Sequence, residues 1–136
     1  MSTTQFPIVL VIAGNDPSGG AGLGADIQAL ASMGCHAAPV VTCITIQDTS
    51  QVLEKFPLSG ARVAAQAEAV LNDIAVAACK IGLLGSVEIV EAVQQVLLKH
   101  PHIPVVLDPV LASGGGQSLM ANQARQTIIT QLLPLV

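Results

Sequence analysis

The sequence is short of aromatic side chains and of charge. Its 136 residues include no Trp or Tyr and only two Phe, and 10% of them are charged. With 51% hydrophobic residues, the chain is too apolar for a disordered protein, which needs low hydrophobicity and high net charge. Five basic residues against nine acidic ones cannot form a phosphate-neutralising stripe, so we expect no nucleic-acid partner.

Long apolar runs are also missing. Mean hydropathy is +0.67, yet runs such as 8–13 and 74–79 fall far short of the roughly 20 apolar residues in a membrane-spanning helix. No basic segment precedes an apolar one at the N-terminus, so no export signal is evident. We therefore expect a soluble, cytoplasmic protein with no membrane partner.

The three cysteines form no metal or disulfide pattern. Cys35, Cys43 and Cys79 are an odd number and include no C-x-x-C pair. Cys43 and Cys79 lie in apolar runs, where a free thiol behaves as a small hydrophobic side chain. We expect reduced, buried thiols and assign no metal ligand. His100 and His102 are expected at the surface rather than in a metal pair.

Short apolar runs alternate with segments of helical periodicity. The predicted strands are 8–13, 38–46, 76–81 and 104–107, with a small extra strand or flap at 52–56. Helices are predicted near Leu23, after Ser59, after Ser86 and near Met120. Ser59 and Ser86 are good N-caps for the second and third helices, and Gly34 is a good glycine for the C-terminal end of the first. This alternation predicts an α/β protein with a mostly parallel sheet covered on both faces, which also explains the apolar composition.

Unusual residues lie at or just after the end of each of the four main predicted strands. A glycine-rich loop at 14–22 follows the first, QDT at 47–49 the second, KIGLLG at 80–85 the third and DPV at 108–110 the fourth. In open parallel sheets, ligands bind at the carboxyl ends of the strands. The sequence therefore predicts a small-molecule site along one edge of the sheet.

The glycine-rich loop fits known phosphate-binding patterns poorly. Residues 20–25 match G-x-G-x-x-A, but six residues separate them from the strand, and Asp26 would repel a pyrophosphate. A P-loop would need Lys and then Ser or Thr after Gly19, and both are missing. A nucleotide-dependent oxidoreductase is therefore the weaker alternative, and the sequence has no G-x-S-x-G element of a nucleophilic hydrolase.

Three of four notable polar residues allow two interpretations each. Asp26 either stabilises a helix N-terminus by about 0.3–1 kcal/mol or accepts a ligand hydrogen. Gln47 either anchors a loop or pairs with the donor–acceptor edge of a flat heterocycle. Asp108 is either a turn residue or a carboxylate near phosphate and metal. For Lys80 we expect a strand-end side chain that reaches solvent.

Taken together, the motifs resemble those of the bacterial hydroxymethylpyrimidine/phosphomethylpyrimidine kinases, members of the ribokinase-like superfamily. The segments that carry the resemblance are IAGNDPSGGAG at 12–22, TIQDT at 45–49, KIGLLG at 80–85 and VVLDPV at 105–110. They stand in order and cover nearly the whole chain. The resemblance implies a three-layer α/β/α ribokinase-like fold, with residues 1–136 as the N-terminal, substrate-side part of one domain and the C-terminal half absent.

The resemblance also implies an activity in thiamine biosynthesis. The γ-phosphate of ATP, with Mg²⁺, would be transferred to 4-amino-5-hydroxymethyl-2-methylpyrimidine and then to its monophosphate. Gly14 and Asp26 would line the pyrimidine pocket, Gln47 would read the aminopyrimidine edge, and Leu83 and Val110 would pack on the ring. Asp108 is the candidate for the phosphate or metal side.

The catalytic base implied by the resemblance is expected beyond Val136. Family members are about twice as long as this chain, and their second half would carry most of the ATP pocket and an anion hole with a general-base cysteine. None of the three cysteines here lies in such a motif. We therefore assign no catalytic base and expect this chain alone to be inactive.

Departures from the family pattern leave alternatives open. Asp48 stands where Asn is usual, Leu83 where Met is common, and the loop 112–116 lacks a frequent Lys. These differences affect the details of the substrate more than the family. A pyridoxal or pyridoxine kinase, a non-catalytic pyrimidine-binding domain and a homodimer all stay open.

Overall fold

The computed structural model describes residues 6–136. In chain order its elements are β1 (Ile8–Asn15), α1 (Gly22–Ser32), β2 (His36–Gln47), β3 (Val52–Pro57), α2 (Gly60–Asp73), β4 (Ala78–Ile81), α3 (Val87–Lys99), β5 (Val105–Leu107) and α4 (Asn122–Thr127). Every predicted strand and helix is present. β1 and β2 are both longer than predicted and end on Asn15 and Gln47, so Gly14 and Gln47 belong to the strands rather than following them.

The five strands form one sheet in the order β3-β2-β1-β4-β5. β1 pairs in parallel with β2 and β4, and β4 pairs in parallel with β5. β3, the predicted flap, runs antiparallel to β2 and forms a hairpin with it. The mostly parallel sheet is thus confirmed, and the carboxyl ends of four strands meet at one edge.

Helices cover both faces of the sheet. On one face α1 packs over Val11 and Ala13 through Leu23. On the other face α2, α3 and α4 enclose the larger core, in which Ile12 and Ile81 are fully buried. The sheet covered on both faces, and the three-layer α/β/α arrangement that the family resemblance implies, are confirmed.

The predicted helix ends are also confirmed. The Ser59 hydroxyl accepts a hydrogen bond from the Arg62 N–H at 3.3 Å, and the Ser86 hydroxyl accepts one from the Ile89 N–H at 3.3 Å. Each cap satisfies a backbone donor that has no partner inside its helix. Gly34 closes α1 with φ of +74°.

The last predicted helix is less regular than its periodicity suggested. Met120 precedes α4, and the chain continues from α4 through a π-helical turn, Ile128–Leu132, into a short 3₁₀ turn, Leu133–Leu135. The hydroxyls of Thr127 and Thr130 donate to carbonyls four residues earlier, which competes with the backbone ladder of the helix. Apolar spacing alone does not reveal such competition.

Cysteine and histidine environments match the sequence analysis in part. Cys43 and Cys79 are buried free thiols, as predicted, and burial raises the pKa of Cys79 to about 12. Cys35 is only half-buried. His102 is exposed, as predicted, whereas His100 is only partly exposed, at 19%, and its Nε2 lies 3.3 Å from Oε2 of Glu68.

Neither a membrane span nor a metal cluster is present in the described part of the chain. No helix within residues 6–136 is both long and apolar enough to cross a bilayer. Over the same range, no group of three or more His, Cys, Asp or Glu side chains is placed to hold a metal ion.

Candidate functional site

A cavity of about 330 Å³ lies at the carboxyl ends of the parallel strands. Its size suits a single-ring heterocycle, at the small end of ligand pockets in proteins. All the site residues predicted from the sequence line this cavity: Gly14, Asp26, Gln47, Leu83, Asp108 and Val110. The structure therefore brings them together, while the role of each in binding stays a prediction.

The loop after β1 folds back on itself to form one wall. Asp16 is 7% exposed, and its Oδ1 accepts from the Ser18 N–H at 2.8 Å and from the Ser18 hydroxyl at 2.7 Å. The loop then enters α1 at Gly22, which has φ of +58°, and a Cβ there would collide with the carbonyl oxygen of Gly14. Only glycine permits this close approach of two backbone segments.

A lysine and an aspartate form an ion pair inside the cavity. Lys80 Nζ lies 2.9 Å from Asp26 Oδ2, with the two side chains 23% and 19% exposed. The expectation that Lys80 reaches solvent is therefore wrong. The pair can form because Lys80 faces the α1 layer, where Asp26 lies. Gly82 leaves room for the lysine side chain, since a Cβ at this position would come within 2.9 Å of Nζ.

The ion pair sets the charge of the site. Lys80 Nζ is also 4.0 Å from Asp108 Oδ2, whose side chain is 60% exposed. Two carboxylates therefore share one ammonium group. Among residues 6–136, the hydrogen bonds of the Asp26 carboxylate involve only Oδ2, which leaves Oδ1 as an acceptor for a ligand.

Gln47 is held by a threonine two residues earlier on the same side of β2. The hydroxyl oxygen of Thr45 is 2.8 Å from the Gln47 amide and 2.8 Å from the carbonyl oxygen of Asn15. Thr45 is 7% exposed, so solvent does not compete for this hydroxyl. The pairing of β1 with β2 is irregular between Ala13 and Asn15, which is where the threonine joins the two strands.

Apolar side chains form the remaining walls. Leu83 and Val110 line the cavity together with Val52 and Leu119, and these last two are 7% and 8% exposed. The Leu83 position is fixed by its own backbone, because the buried Thr42 hydroxyl donates to the Leu83 carbonyl at 2.6 Å. Apolar walls combined with a few placed polar groups are typical of small-molecule binding sites.

The β2–β3 hairpin and the segment 110–119 close over the cavity. Lys55 Nζ donates to the Leu119 carbonyl at 3.1 Å, and a Cβ on Gly115 would lie 3.0 Å from the Ser50 carbonyl oxygen. Two segments far apart in sequence thus form one roof over the site.

Sequence reasoning missed Lys80, Thr45, Val52 and Leu119 as cavity residues. A signal existed for Lys80, since it is the only charge in β4 and alternates with Cys79 and Ile81, which face the larger core. A lone charge in a strand covered on both faces needs a partner. Val52 and Leu119 belong to the roof, whose contacts are not local in the sequence.

Solved structures identify the class of protein to which this fold belongs. The structure aligns with phosphomethylpyrimidine kinase from Clostridium difficile 630 with a TM-score of 0.87 and 35% identity, covering 97% of this chain and 57% of that one. It also aligns with an ADP complex of Bacillus subtilis pyridoxal kinase, with a TM-score of 0.81 and 30% identity, covering 97% and 48%. The fold is that of the ribokinase-like vitamin kinases.

Sequence comparison gives the family. The model of the phosphomethylpyrimidine kinase family matches residues 16–136, and the chain belongs to this family. It is 42% identical over 127 residues to the hydroxymethylpyrimidine/phosphomethylpyrimidine kinase of Haemophilus influenzae, which covers 93% of this chain and 47% of that protein. The chain spans about half the length of the curated relatives it matches.

Proposed function

We propose that this chain forms the substrate-binding half of a kinase that phosphorylates 4-amino-5-hydroxymethyl-2-methylpyrimidine and then its monophosphate, using ATP. The observation that carries the proposal is the cavity at the sheet edge, in which an amide, a carboxylate and two apolar side chains converge. The names of the relatives support the same chemistry.

The cavity residues suit the pyrimidine ring. We assign Leu83 and Val110 to the two faces of the ring and Gln47 to its amino edge. Asp26 Oδ1 would accept a hydrogen from the ligand, while Lys80 at 2.9 Å holds the other carboxylate oxygen in place. At Gly14, a Cβ would come within 3.3 Å of the Leu83 side chain, so glycine keeps the apolar wall from being pushed into the ring space.

The phosphate side is assigned to Asp108 and the loop 112–116, at the end of the cavity formed after β5. An exposed carboxylate fits Mg²⁺, which prefers oxygen ligands and keeps several of its waters. When bound, ATP would supply the transferred phosphoryl group, and Mg²⁺ would neutralise charge on it. This chain's own contribution is to hold the hydroxymethyl group in position, which is most of what such catalysis requires.

No catalytic base is assigned among the described residues. None of the three cysteines lines the cavity, and burial raises the pKa of the Cys79 thiol to about 12 and also raises that of Cys43. Both thiols are therefore protonated at neutral pH. The general-base cysteine and anion hole expected beyond Val136 lie outside residues 6–136 and stay a prediction. We expect the isolated chain to bind the pyrimidine without turning it over.

A pyridoxal kinase is the second candidate. A pyridoxal kinase from Staphylococcus aureus solved in complex with pyridoxal aligns with a TM-score of 0.81 at 29% identity. Pyridoxal is also a single substituted ring with a hydroxymethyl group, so the apolar walls would accept it. The discriminating group is Gln47, which matches the amino edge of the pyrimidine.

Calorimetric titration of the chain with the pyrimidine, with pyridoxal and with ATP tests the proposal. We expect saturable pyrimidine binding that is weakened about tenfold by Gln47→Ala, the effect of losing hydrogen bonds of ordinary strength. Gln28→Ala, an exposed glutamine on α1, is the matched control and should change nothing. Tighter binding of pyridoxal than of the pyrimidine would move the assignment to the second candidate. An equal loss of stability and binding in Gln47→Ala would make that residue structural.

A further inference from the structure

The contacts of the Thr45 hydroxyl determine the direction of the Gln47 amide. Its oxygen lies 2.8 Å from both the Asn15 carbonyl oxygen and the near atom of the Gln47 amide, which is placed as Oε1. A hydroxyl has one hydrogen, and both of these partners would be acceptors. One oxygen–oxygen contact at 2.8 Å would then carry no hydrogen, although Thr45 is buried.

Exchanging the two ends of the amide removes the conflict. The oxygen and nitrogen ends of an amide have nearly the same shape, so hydrogen bonding decides between the two orientations. With Nε2 next to Thr45, this nitrogen donates to the threonine oxygen, and the threonine hydrogen goes to the Asn15 carbonyl, which can only accept. Every contact in the chain Gln47–Thr45–Asn15 is then satisfied.

We propose that Thr45 is a positioning residue that fixes the order of donor and acceptor on the Gln47 edge facing the cavity. One Nε2 hydrogen is bound to the Thr45 oxygen, so the edge that faces the cavity consists of the other Nε2 hydrogen and Oε1. On that edge the hydrogen lies nearer Thr45, and Oε1 lies farther from it. This inference rests on the proposed function for its ligand: the ring nitrogen of a 4-aminopyrimidine would face Nε2, and its amino group would face Oε1.

The fixed order gives the site a means of discrimination. A 4-oxopyrimidine in its N3–H form has the opposite order, with an acceptor where the amino compound has a donor. A freely rotating glutamine would turn over and accept both compounds. A glutamine held by Thr45 would meet donor with donor and acceptor with acceptor, and buried polar groups left unpaired in this way are costly.

The orientation is tested first without ligand, by NMR of the ¹⁵N-labelled chain. We expect one Gln47 side-chain amide hydrogen to exchange slowly with solvent. The Gln28 amide is the freely exchanging reference, and the signals that are lost in the Q47E spectrum identify the Gln47 amide. The slow exchange should persist in Thr45→Ser and disappear in Thr45→Val. Equal, fast exchange of both Gln47 hydrogens in the unmodified chain would overturn the proposal.

The consequence for binding is tested with 4-amino-5-hydroxymethyl-2-methylpyrimidine and its 4-oxo counterpart. The preference for the amino compound should fall about tenfold in Thr45→Val and be restored in Thr45→Ser, with thermal melting to show that both variants fold. An unchanged preference in a folded Thr45→Val variant would contradict the positioning role. A protected Gln47 amide in a chain that binds neither pyrimidine would instead refute the proposed function and leave the orientation standing.

Discussion

At the residue scale, Gly22 determines whether the loop after β1 can meet the sheet. Its φ of +58° and the adjacent Gly14 carbonyl both exclude a side chain. Gly22→Ala should therefore lower the free energy of unfolding by more than the about 1–2 kcal/mol that a left-handed conformation alone costs. Urea denaturation measures the change.

Two other glycines separate the causes of that loss. Gly19 has φ of +76° with open space where a Cβ would lie, so Gly19→Ala should show the conformational cost alone. Gly114 has open space and no left-handed backbone, so Gly114→Ala should be nearly neutral. If all three substitutions cost the same, the close approach of Gly22 to Gly14 would not be the cause.

The thiols give a second test at this scale. Cys43 and Cys79 are buried with raised pKa values, whereas Cys35 is half-buried. Since the thiolate is the reactive form, a thiol reagent at about pH 8 should modify Cys35 alone in the folded chain and all three in urea. Rapid modification of the folded Cys35→Ser variant would show that a core strand opens.

At the scale of elements, one glutamate links α2 to α3. Glu68 Oε1 lies 2.8 Å from Lys99 Nζ, and Oε2 lies 3.3 Å from His100 Nε2. Hydrogen bonds from Lys99 first, and then from His100, hold the pKa of Glu68 below its ordinary value of 4.5. The folded state therefore favours the ionised carboxylate.

The pH dependence of stability follows from that direction. The contribution of Glu68 is fully present above about pH 4.5 and is lost as the pH falls through the lower pKa of the folded state. Glu68→Gln should cost up to about 1 kcal/mol at about pH 7 and should destabilise less, or not at all, at about pH 3. Urea denaturation at both pH values measures this change in stability.

Glu91→Gln, which replaces an exposed acid on α3, is the control. The same loss at both pH values in Glu68→Gln would exclude the ion pair as its source.

The sequence predicts an element well when the interactions that form it are between residues close together in the chain. Ser59 and Ser86 act on the next turn of chain, so their helices were predicted at the correct starts. Apolar strands alternating with helices were sufficient to predict the layers. The irregular end of the last helix was not predicted, because the apolar spacing carries no information about the hydrogen bonds from the Thr127 and Thr130 hydroxyls to backbone carbonyls.

At the scale of the whole molecule, the candidate site combines local and non-local features. The polar residues at the strand ends could be predicted, because parallel strands bring their carboxyl ends to one edge. The pairing of Lys80 with Asp26 could not, since it depends on how α1 lies over the sheet. The roof, joined by Lys55 and the Leu119 carbonyl, depends on contacts between distant segments.

The central claim is that this cavity holds the aminopyrimidine ring with its amino group at Gln47. The most direct measurement is a crystal structure of the chain with 4-amino-5-hydroxymethyl-2-methylpyrimidine. We predict the ring between Leu83 and Val110, with the amino group on the Gln47 side-chain oxygen and the hydroxymethyl group directed toward Asp108. An empty cavity at saturating ligand, or a ring bound elsewhere on the chain, would contradict the account.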